Sequence, residues 1–266
     1  MTFRPTLFVI STLVAFAVLT AWTSAMARPC HSNAISSLKR FSPDGYAVYR
    51  AYRNKRRFLG WIDSCRDMVG GVVTAVHETV HMLTHQWDAY PLINGERLPR
   101  VPEARAFFPP RLVAKRFPRS SPFVESYLVT GQASSADYLR YLLDELNAYA
   151  HDLNTAVRMN ALEARGQTTF HRDGLAALMA FLAAYVDEAA RRRRTTWRAL
   201  MQPQHRRTVV ALWAQAEDVM GRSCHVRDLG YEASRFLRPV CSVTAHDPLG
   251  VLLGRPPLCP IRCALQ

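Results

Sequence analysis

The sequence predicts an α+β fold that is predominantly helical, with a small sheet or hairpin in its first half and an irregular, disulfide-rich C-terminal tail. Three observations support this fold class: apolar residues recur at helical spacing in four long segments, an Asn-Gly pair separates two apolar runs, and four of the six cysteines follow residue 223. About 240 residues follow the N-terminal segment described next, enough for one substantial hydrophobic core. We therefore expect a single domain over 28–266, with a cysteine-rich tail at 222–266.

The first 27 residues have the features of a signal peptide. Arg4 supplies the positive charge, Leu7–Trp22 is an almost uninterrupted apolar run, and Ala25-Met26-Ala27 provides the small residues that a signal peptidase needs. The apolar run is shorter than the roughly 20 residues of a membrane-spanning helix, and the alternative is an uncleaved N-terminal anchor. We expect a signal peptide at 1–27 and a periplasmic or secreted protein that keeps no stable membrane span after cleavage.

All six cysteines lie after the predicted cleavage point, and an even number in an exported chain indicates disulfides whose pairing the sequence leaves open. Prolines interrupt helices, so the tail is expected to be irregular and stapled to the core. A second zinc site at Cys259 and Cys263 would lack both a partner cysteine pair and a nearby histidine. The cysteines are Cys30, Cys65, Cys224, Cys241, Cys259 and Cys263, and the tail prolines are Pro239, Pro256, Pro257 and Pro260.

The first elements of the domain are predicted as strands followed by a helix and a hairpin. The segment Tyr46–Ile62 mixes β-prone aromatic residues and valine with arginine, which favours one or two short strands. Ser64 and Asp67 have the spacing of a capping box, and the apolar positions after them predict a helix that stops before Pro91. The Asn-Gly pair inside Leu92–Leu98 then predicts a two-residue hairpin turn.

A proline-rich loop over 99–118 separates this region from three further helices. Ser134 with Asp137 resembles a second capping box, followed by helical spacing from Leu139 to Val157. Another helix is predicted over about Gly174–Arg193. The last begins at Pro203, because proline suits a first helical turn, and ends at Gly221.

The net charge of +13 comes mainly from arginine, with the densest cluster at Arg191–Arg194. This cluster is compatible with an anionic envelope partner, but cations also stabilise a helix C-terminus, which is the simpler interpretation. No nucleic-acid motif accompanies the charge, and export argues against a nucleic-acid partner.

The motif with the most chemical content is His77-Glu78-Thr79-Val80-His81, an HExxH sequence on a predicted helix. Residues four apart on a helix share one face, about 6 Å apart along the axis, so two imidazoles can bind one metal ion. A catalytic zinc ion keeps one position for water, and Glu78 is placed to take a proton from that water instead of binding the metal.

On this motif the chain resembles the zincin metallopeptidases, and among them the gluzincins, whose third ligand is a glutamate on a second helix. The resemblance implies that His77 and His81 bind Zn²⁺, that Glu78 is the general base and that the fold is zincin-like. It covers only the motif helix and the helix after Ser134. The extended metzincin pattern is absent, and the gluzincin Asn-Glu-x-x-x-Asp sequence is replaced by Asp144–Tyr149.

Glu145 is the predicted third metal ligand, because the 3.6-residue period puts it at the edge of the leucine stripe, on the same side as Tyr138, Tyr149 and Asp152. Asp144, on the opposite flank with Asn147 and His151, is an alternative ligand, as is His151. His85 lies about 12 Å from His77 along the axis, too far to share a metal. We expect His85 to contact a metal ligand or to lie on the substrate side of the site. Tyr149 is the predicted oxyanion donor, with His85 and His151 as alternatives.

Together these features predict an exported zinc metallopeptidase that hydrolyses peptide or protein substrates with a metal-activated water. The alternative is a non-catalytic exported helical protein that binds a metal or an anionic envelope component. The sequence leaves the substrate and the oligomeric state open.

Overall fold

A computed structural model describes residues 30–62, 67–162 and 169–265. The predicted signal peptide at 1–27 and Ser64 lie outside the described residues. The helices are α1 (30–41), α2 (Pro43–Ala51), α3 (Lys55–Leu59), α4 (Met68–Trp87), α5 (Pro122–Leu128), α6 (Leu139–Met159), α7 (His171–Arg192), α8 (Arg194–Leu200), α9 (Pro203–Ser223), α10 (Ala233–Cys241), α11 (Pro248–Leu253) and α12 (Ile261–Leu265), and the strands are β1 (Ala89–Pro91) and β2 (Arg97–Pro99).

The strands predicted within Tyr46–Ile62 are wrong, since α2 and α3 occupy this segment. Local caps explain the difference: Ser42 Oγ accepts a hydrogen bond from the N–H of Gly45 at 3.4 Å, and Asn54 Oδ1 accepts one from the N–H of Arg57 at 3.0 Å. Such caps satisfy backbone donors that a short helix leaves unpaired. The β preference of aromatic residues depends on sheet neighbours, which this segment lacks.

The hairpin is confirmed, and it is the only sheet in the described part of the chain. Strands β1 and β2 are antiparallel, with Tyr90 opposite Leu98. The turn is longer than the predicted two residues. A hydrogen bond of 2.8 Å from the N–H of Leu92 to the carbonyl of Glu96 closes it around residues 93–95. Gly95 accommodates the turn with a φ of 88°, a conformation that glycine adopts without steric cost.

Helix α4 carries the HExxH motif and ends at Trp87, before Pro91 as predicted. Its N-cap is Asp67, whose Oδ1 accepts a hydrogen bond from the N–H of Gly70 at 3.0 Å, so the predicted capping box, in which Asp67 lies three residues inside the helix, is wrong. Most of its apolar positions are fully buried, and its main packing partner is α6. This pairing brings the motif against the helix that carries the predicted third ligand.

Helix α6 begins at Leu139, and the capping box predicted at Ser134 and Asp137 is wrong. Ser134–Ala136 form a separate 3₁₀ turn. The first backbone donors of α6, at Leu139 and Arg140, are instead bound by the Glu103 carboxylate at 2.9 Å each. A carboxylate at this end of a helix also interacts favourably with the helix dipole.

The centre of the core is formed by α6, α7 and α9. The predictions for α7 and α9 are confirmed: α7 begins three residues before Gly174 and ends one residue before Arg193, and α9 begins at Pro203 as predicted and ends two residues after Gly221. Tyr185 of α7 and Trp213 of α9 are completely buried, together with most of the leucines and alanines of α7. None of the described helices is both long and apolar enough to cross a membrane.

The C-terminal tail is not irregular, because it contains α10, α11 and α12. Pro239 lies inside α10, and the other tail helices are short enough to avoid an internal proline. Two disulfides, Cys224–Cys263 and Cys241–Cys259, hold the tail together. The buried carboxylate of Glu217 on α9 fixes the tail to the core. It accepts hydrogen bonds of 2.7 Å from the indole N–H of Trp213 and from the backbone N–H of Leu258.

Candidate metal centre

The two motif histidines project from successive turns of α4 toward α6. Their Nε2 atoms are 3.2 Å apart, and their rings meet edge to face at 73°. When both imidazoles are neutral and protonated at Nδ1, their two Nε2 lone pairs face each other at this distance and repel. A cation bound by both lone pairs removes this conflict. His77 and His81 therefore have the mutual orientation that a shared metal ion requires.

Glu145 of α6 completes a triangle of donor atoms. Its Oε2 lies 3.7 Å from Nε2 of His77 and 3.5 Å from Nε2 of His81. This oxygen is buried and has no hydrogen-bond partner among the described residues. Ligand atoms about 2.0–2.1 Å from a tetrahedral zinc ion are separated by roughly 3.3 Å, close to all three sides of this triangle. The His77, His81 and Glu145 side chains can thus hold a metal ion.

Two further carboxylates contact the outward nitrogens of the histidines. Asp144 Oδ2 is 2.8 Å from Nδ1 of His81, and Asp152 Oδ2 is 3.4 Å from Nδ1 of His77. Metal-binding histidines commonly donate their second N–H to a carboxylate, which fixes the tautomer and makes the ligand more basic. Asp144, an alternative third ligand from the sequence, is therefore placed behind His81 and faces away from Glu145 Oε2.

The electrostatics of the group favour bound positive charge. Burial lowers the pKa of both imidazoles, but the neighbouring carboxylates outweigh burial and raise the pKa of His77 and His81 well above the ordinary value. Burial alone would raise the pKa of Glu145, whereas the two histidines lower it to about 2. The site is negatively charged when the histidines are neutral, and protons and metal ions compete for it.

His171, at the start of α7, contacts Asp152, the carboxylate next to His77. The Nδ1 atom of His171 lies 2.7 Å from Asp152 Oδ1. His77, Asp152 and His171 therefore form a continuous chain from α4 through α6 to α7. His171 could not be assigned to the site from the sequence, because it lies 94 positions from His77 and no periodic pattern connects the two residues.

Of the predicted catalytic residues, Tyr149 contacts His77, and Glu78 is the residue that follows His77 on α4. Glu78 is half-buried, and no hydrogen bond or ion pair within the described ranges engages its carboxylate. The Tyr149 ring packs edge-on against His77, with ring centres 4.8 Å apart, and its hydroxyl is 2.8 Å from that of Tyr127. A Cβ at Gly174 would overlap the Tyr149 ring, so glycine is needed there for Tyr149 to take this position. Tyr127 was missed because nothing in the sequence links α5 to the motif.

Other residues considered from the sequence lie elsewhere. His85 is exposed, with its ring centre 6.0 Å from that of Tyr141. His151 is buried and its Nε2 lies 2.9 Å from the carbonyl oxygen of Pro91, outside the metal-binding group. Tyr138 is about half exposed at the N-cap of α6.

The geometry defines a candidate mononuclear centre with two imidazole nitrogens and one carboxylate oxygen. Comparisons with protein-family models, with curated proteins and with solved structures found no match for the chain. The resemblance to zincins therefore consists of the motif and the three converging side chains.

Proposed function

We propose that the protein is an exported zinc-dependent metallopeptidase of gluzincin type, with His77, His81 and Glu145 as metal ligands. The observation that carries this proposal is the triangle of donor atoms from His77, His81 and Glu145, which are 3.2, 3.5 and 3.7 Å apart. The zincin-like character of the fold belongs to the same proposal.

The donor set favours zinc over other common metal ions. Imidazole nitrogen suits zinc, copper, iron and nickel, whereas magnesium and calcium prefer oxygen ligands alone. Two histidines and one carboxylate with a fourth position for water are typical of catalytic zinc sites. Structural zinc sites more often use four protein ligands, with cysteine among them.

The chemistry follows from the residues around the ion. Zinc bound at this site would supply a water molecule with a pKa near ~7 and would polarise a peptide carbonyl. Glu78 then takes a proton from the attacking water and returns it to the amine that leaves when the peptide C–N bond breaks. Asp144 and Asp152 hold the two imidazoles in the required tautomer.

Tyr149 is proposed as a hydrogen-bond donor to the oxyanion of the reaction. Burial raises the pKa of its phenol well above the ordinary value, and the neighbouring carboxylates add to this effect, so the hydroxyl keeps its proton at neutral pH. Its contact with Tyr127 fixes the orientation of the phenol. A protonated donor with a fixed position is what oxyanion stabilisation requires.

Export is part of the proposal. The two described disulfides are compatible with an oxidising compartment such as the periplasm or the exterior. The predicted signal peptide points to the same compartments.

The proposal is tested by changing Glu78 to Gln in the zinc-loaded protein and measuring hydrolysis of a peptide library. We expect the variant to retain about one zinc ion per chain and to lose at least ~100-fold in kcat/KM, in the range of a lost general base. Glu96→Gln, on the exposed hairpin turn, is the matched control. Full activity of Glu78→Gln would exclude the mechanism, and a wild type that binds zinc without hydrolysing any peptide would identify a non-catalytic metal-binding protein.

A further inference from the structure

A large cavity lies between the second half of α7 and α10, away from the candidate metal centre. Its volume is about 460 Å³, within the range of roughly 300–1,000 Å³ that is typical of small-molecule sites. The walls are mostly apolar. The cavity is open because α7 presents alanines where larger residues would fill the space. The residues that form the walls include Phe117, Ala180, Ala183, Phe236, Val240 and Leu249.

The cavity adjoins a second, basic groove of about 450 Å³ and shares Arg116 and Asp187 with it. The groove contains four cationic and two anionic side chains, which gives it a formal charge of +2. Arg191 and Arg192 are both more than 60% exposed, and each forms an ion pair on its own helix, Arg191 with Asp187 and Arg192 with Glu188. Because both arginine side chains stay exposed to solvent in these pairs, their guanidinium groups remain accessible to a second anion. The lining residues are Lys115, Arg116, Asp187, Glu188, Arg191 and Arg192.

An apolar cavity beside a cationic groove matches a ligand with an apolar chain and an anionic head group. We propose that the cavity binds the alkyl chain of a free long-chain carboxylate, with the carboxylate held in the basic groove. A planar carboxylate fits the guanidinium geometry of arginine, and the alkyl chain is expelled from water into the cavity. A neutral or cationic head group would lack the first of these two interactions.

The proposed site is physically separate from the metal centre. Ala183 lies 12 residues after His171, the residue of α7 that contacts Asp152, which corresponds to about 18 Å along the helix. Ligand binding in the cavity can therefore be measured whether or not the protein hydrolyses peptides.

The test is calorimetric titration of the purified protein with octanoate, decanoate and dodecanoate below their micellar concentrations. Each buried methylene is expected to increase affinity about fourfold, so that each step of two methylenes gives roughly 16-fold until the cavity is full. Dodecylammonium, with the same chain and the opposite charge, is expected to bind at least tenfold more weakly than dodecanoate. Affinity that does not change with chain length, equal binding of the two head groups, or no binding would each overturn the proposal.

Two pairs of variants assign the binding to this site. Ala183→Leu fills the cavity and should weaken dodecanoate binding at least tenfold, whereas Ala211→Leu, on α9 and outside the cavity, should not. Arg191→Gln should weaken dodecanoate binding severalfold and leave dodecylammonium unaffected or improved, with Arg207→Gln as its control.

Unchanged binding by Ala183→Leu would contradict the assignment. A dimer that forms in the wild type and is lost in Ala183→Leu would show that a second copy of the chain occupies the cavity instead. The titrations of the wild type decide the question even if Ala183→Leu fails to fold.

Discussion

Helix α6 carries two buried polar regions: the candidate metal-binding region around Glu145 and the hairpin contact formed by Asn147 and His151. In the hairpin contact, both side chains have a backbone partner, since Asn147 Nδ2 and His151 Nε2 are 3.0 and 2.9 Å from the carbonyl oxygen of Pro91. In the metal-binding region, Oε2 of Glu145 is buried, has no hydrogen-bond partner among the described residues, and faces two imidazole nitrogens.

The two regions differ in how their buried polar atoms are paired. Buried polar groups in stable proteins are nearly always hydrogen-bonded within the protein, as in the hairpin contact. Gln215 extends that network by donating to Oδ1 of Asn147 at 2.8 Å and accepting from the N–H of Ile93 at 2.8 Å. At Glu145, the three donor atoms face only one another, an arrangement that could hold a metal ion.

The largest expected effect comes from removing the third ligand. Glu145→Ala should reduce zinc affinity at least ~1,000-fold, about 4 kcal/mol, because two histidines alone leave the ion with half of its coordination shell open to water. Zinc competition with a chromophoric chelator measures this. Asn147→Ala is the matched control, and it should lower stability while leaving zinc affinity unchanged. Equal zinc affinity of Glu145→Ala and the wild type would contradict the assignment of Glu145 as a metal ligand.

The hairpin contact should show its own dependence on pH. Burial lowers the pKa of His151 from 6.5 to about 4, so the folded protein holds the neutral imidazole while the unfolded chain takes up a proton below pH 6.5. Stability that is present above pH 6.5 is therefore lost as the pH falls toward 4, by on the order of 3 kcal/mol. The free energy of unfolding, measured with a chelator present, should fall by this much more in the wild type than in His151→Gln.

The wild type must be compared with His151→Gln, because the raised pKa of His77 and His81 gives the free energy of unfolding of the metal-free protein the opposite dependence on pH. Their contribution is present below the unfolded pKa near 6.5 and is lost as the pH rises through the folded values. Parallel curves for the wild type and His151→Gln would show that His151 is not held neutral.

A smaller effect is expected from the carboxylates behind the histidines. Asp144→Asn and Asp152→Asn should each reduce zinc affinity about 10–100-fold, the usual result of losing such a partner. The binding stoichiometry should stay at one ion per chain, since the ligands themselves remain. If neither variant changed zinc affinity, the contacts to Nδ1 of His81 and His77 would be structural, like those of Asn147.

The sequence predicted the parts of the site that depend on helical spacing. His77 and His81 share a face of α4 because they are four residues apart, and the 3.6-residue period placed Glu145, Tyr149 and Asp152 together on α6. The long apolar repeats of α7 and α9 were equally informative. These features are local, so a single sequence contains them.

What the sequence did not reveal depends on tertiary contacts. Asp144 remained an alternative ligand in the sequence prediction. Its position behind His81 depends on the packing of α4 on α6, which the sequence does not show. Tyr127 and His171 come from separate elements and have no local signal. The segment 46–62 was predicted as strands because the β preference of its aromatic residues is visible in the sequence, whereas the side-chain caps at Ser42 and Asn54 are not. The tail was predicted to be irregular because its prolines were interpreted as breaks, but Pro239 lies inside α10 and the other tail helices are short.

Zinc K-edge X-ray absorption of the zinc-loaded protein tests the central claim most directly. A single zinc ion per chain should show only nitrogen and oxygen ligands at about 2.0–2.2 Å, with the multiple-scattering signature of two imidazoles. The signature should weaken to one imidazole in His81→Ala. Sulfur ligands, a shell without imidazole, or a protein that does not retain zinc would contradict the assignment of His77, His81 and Glu145 as a metal centre.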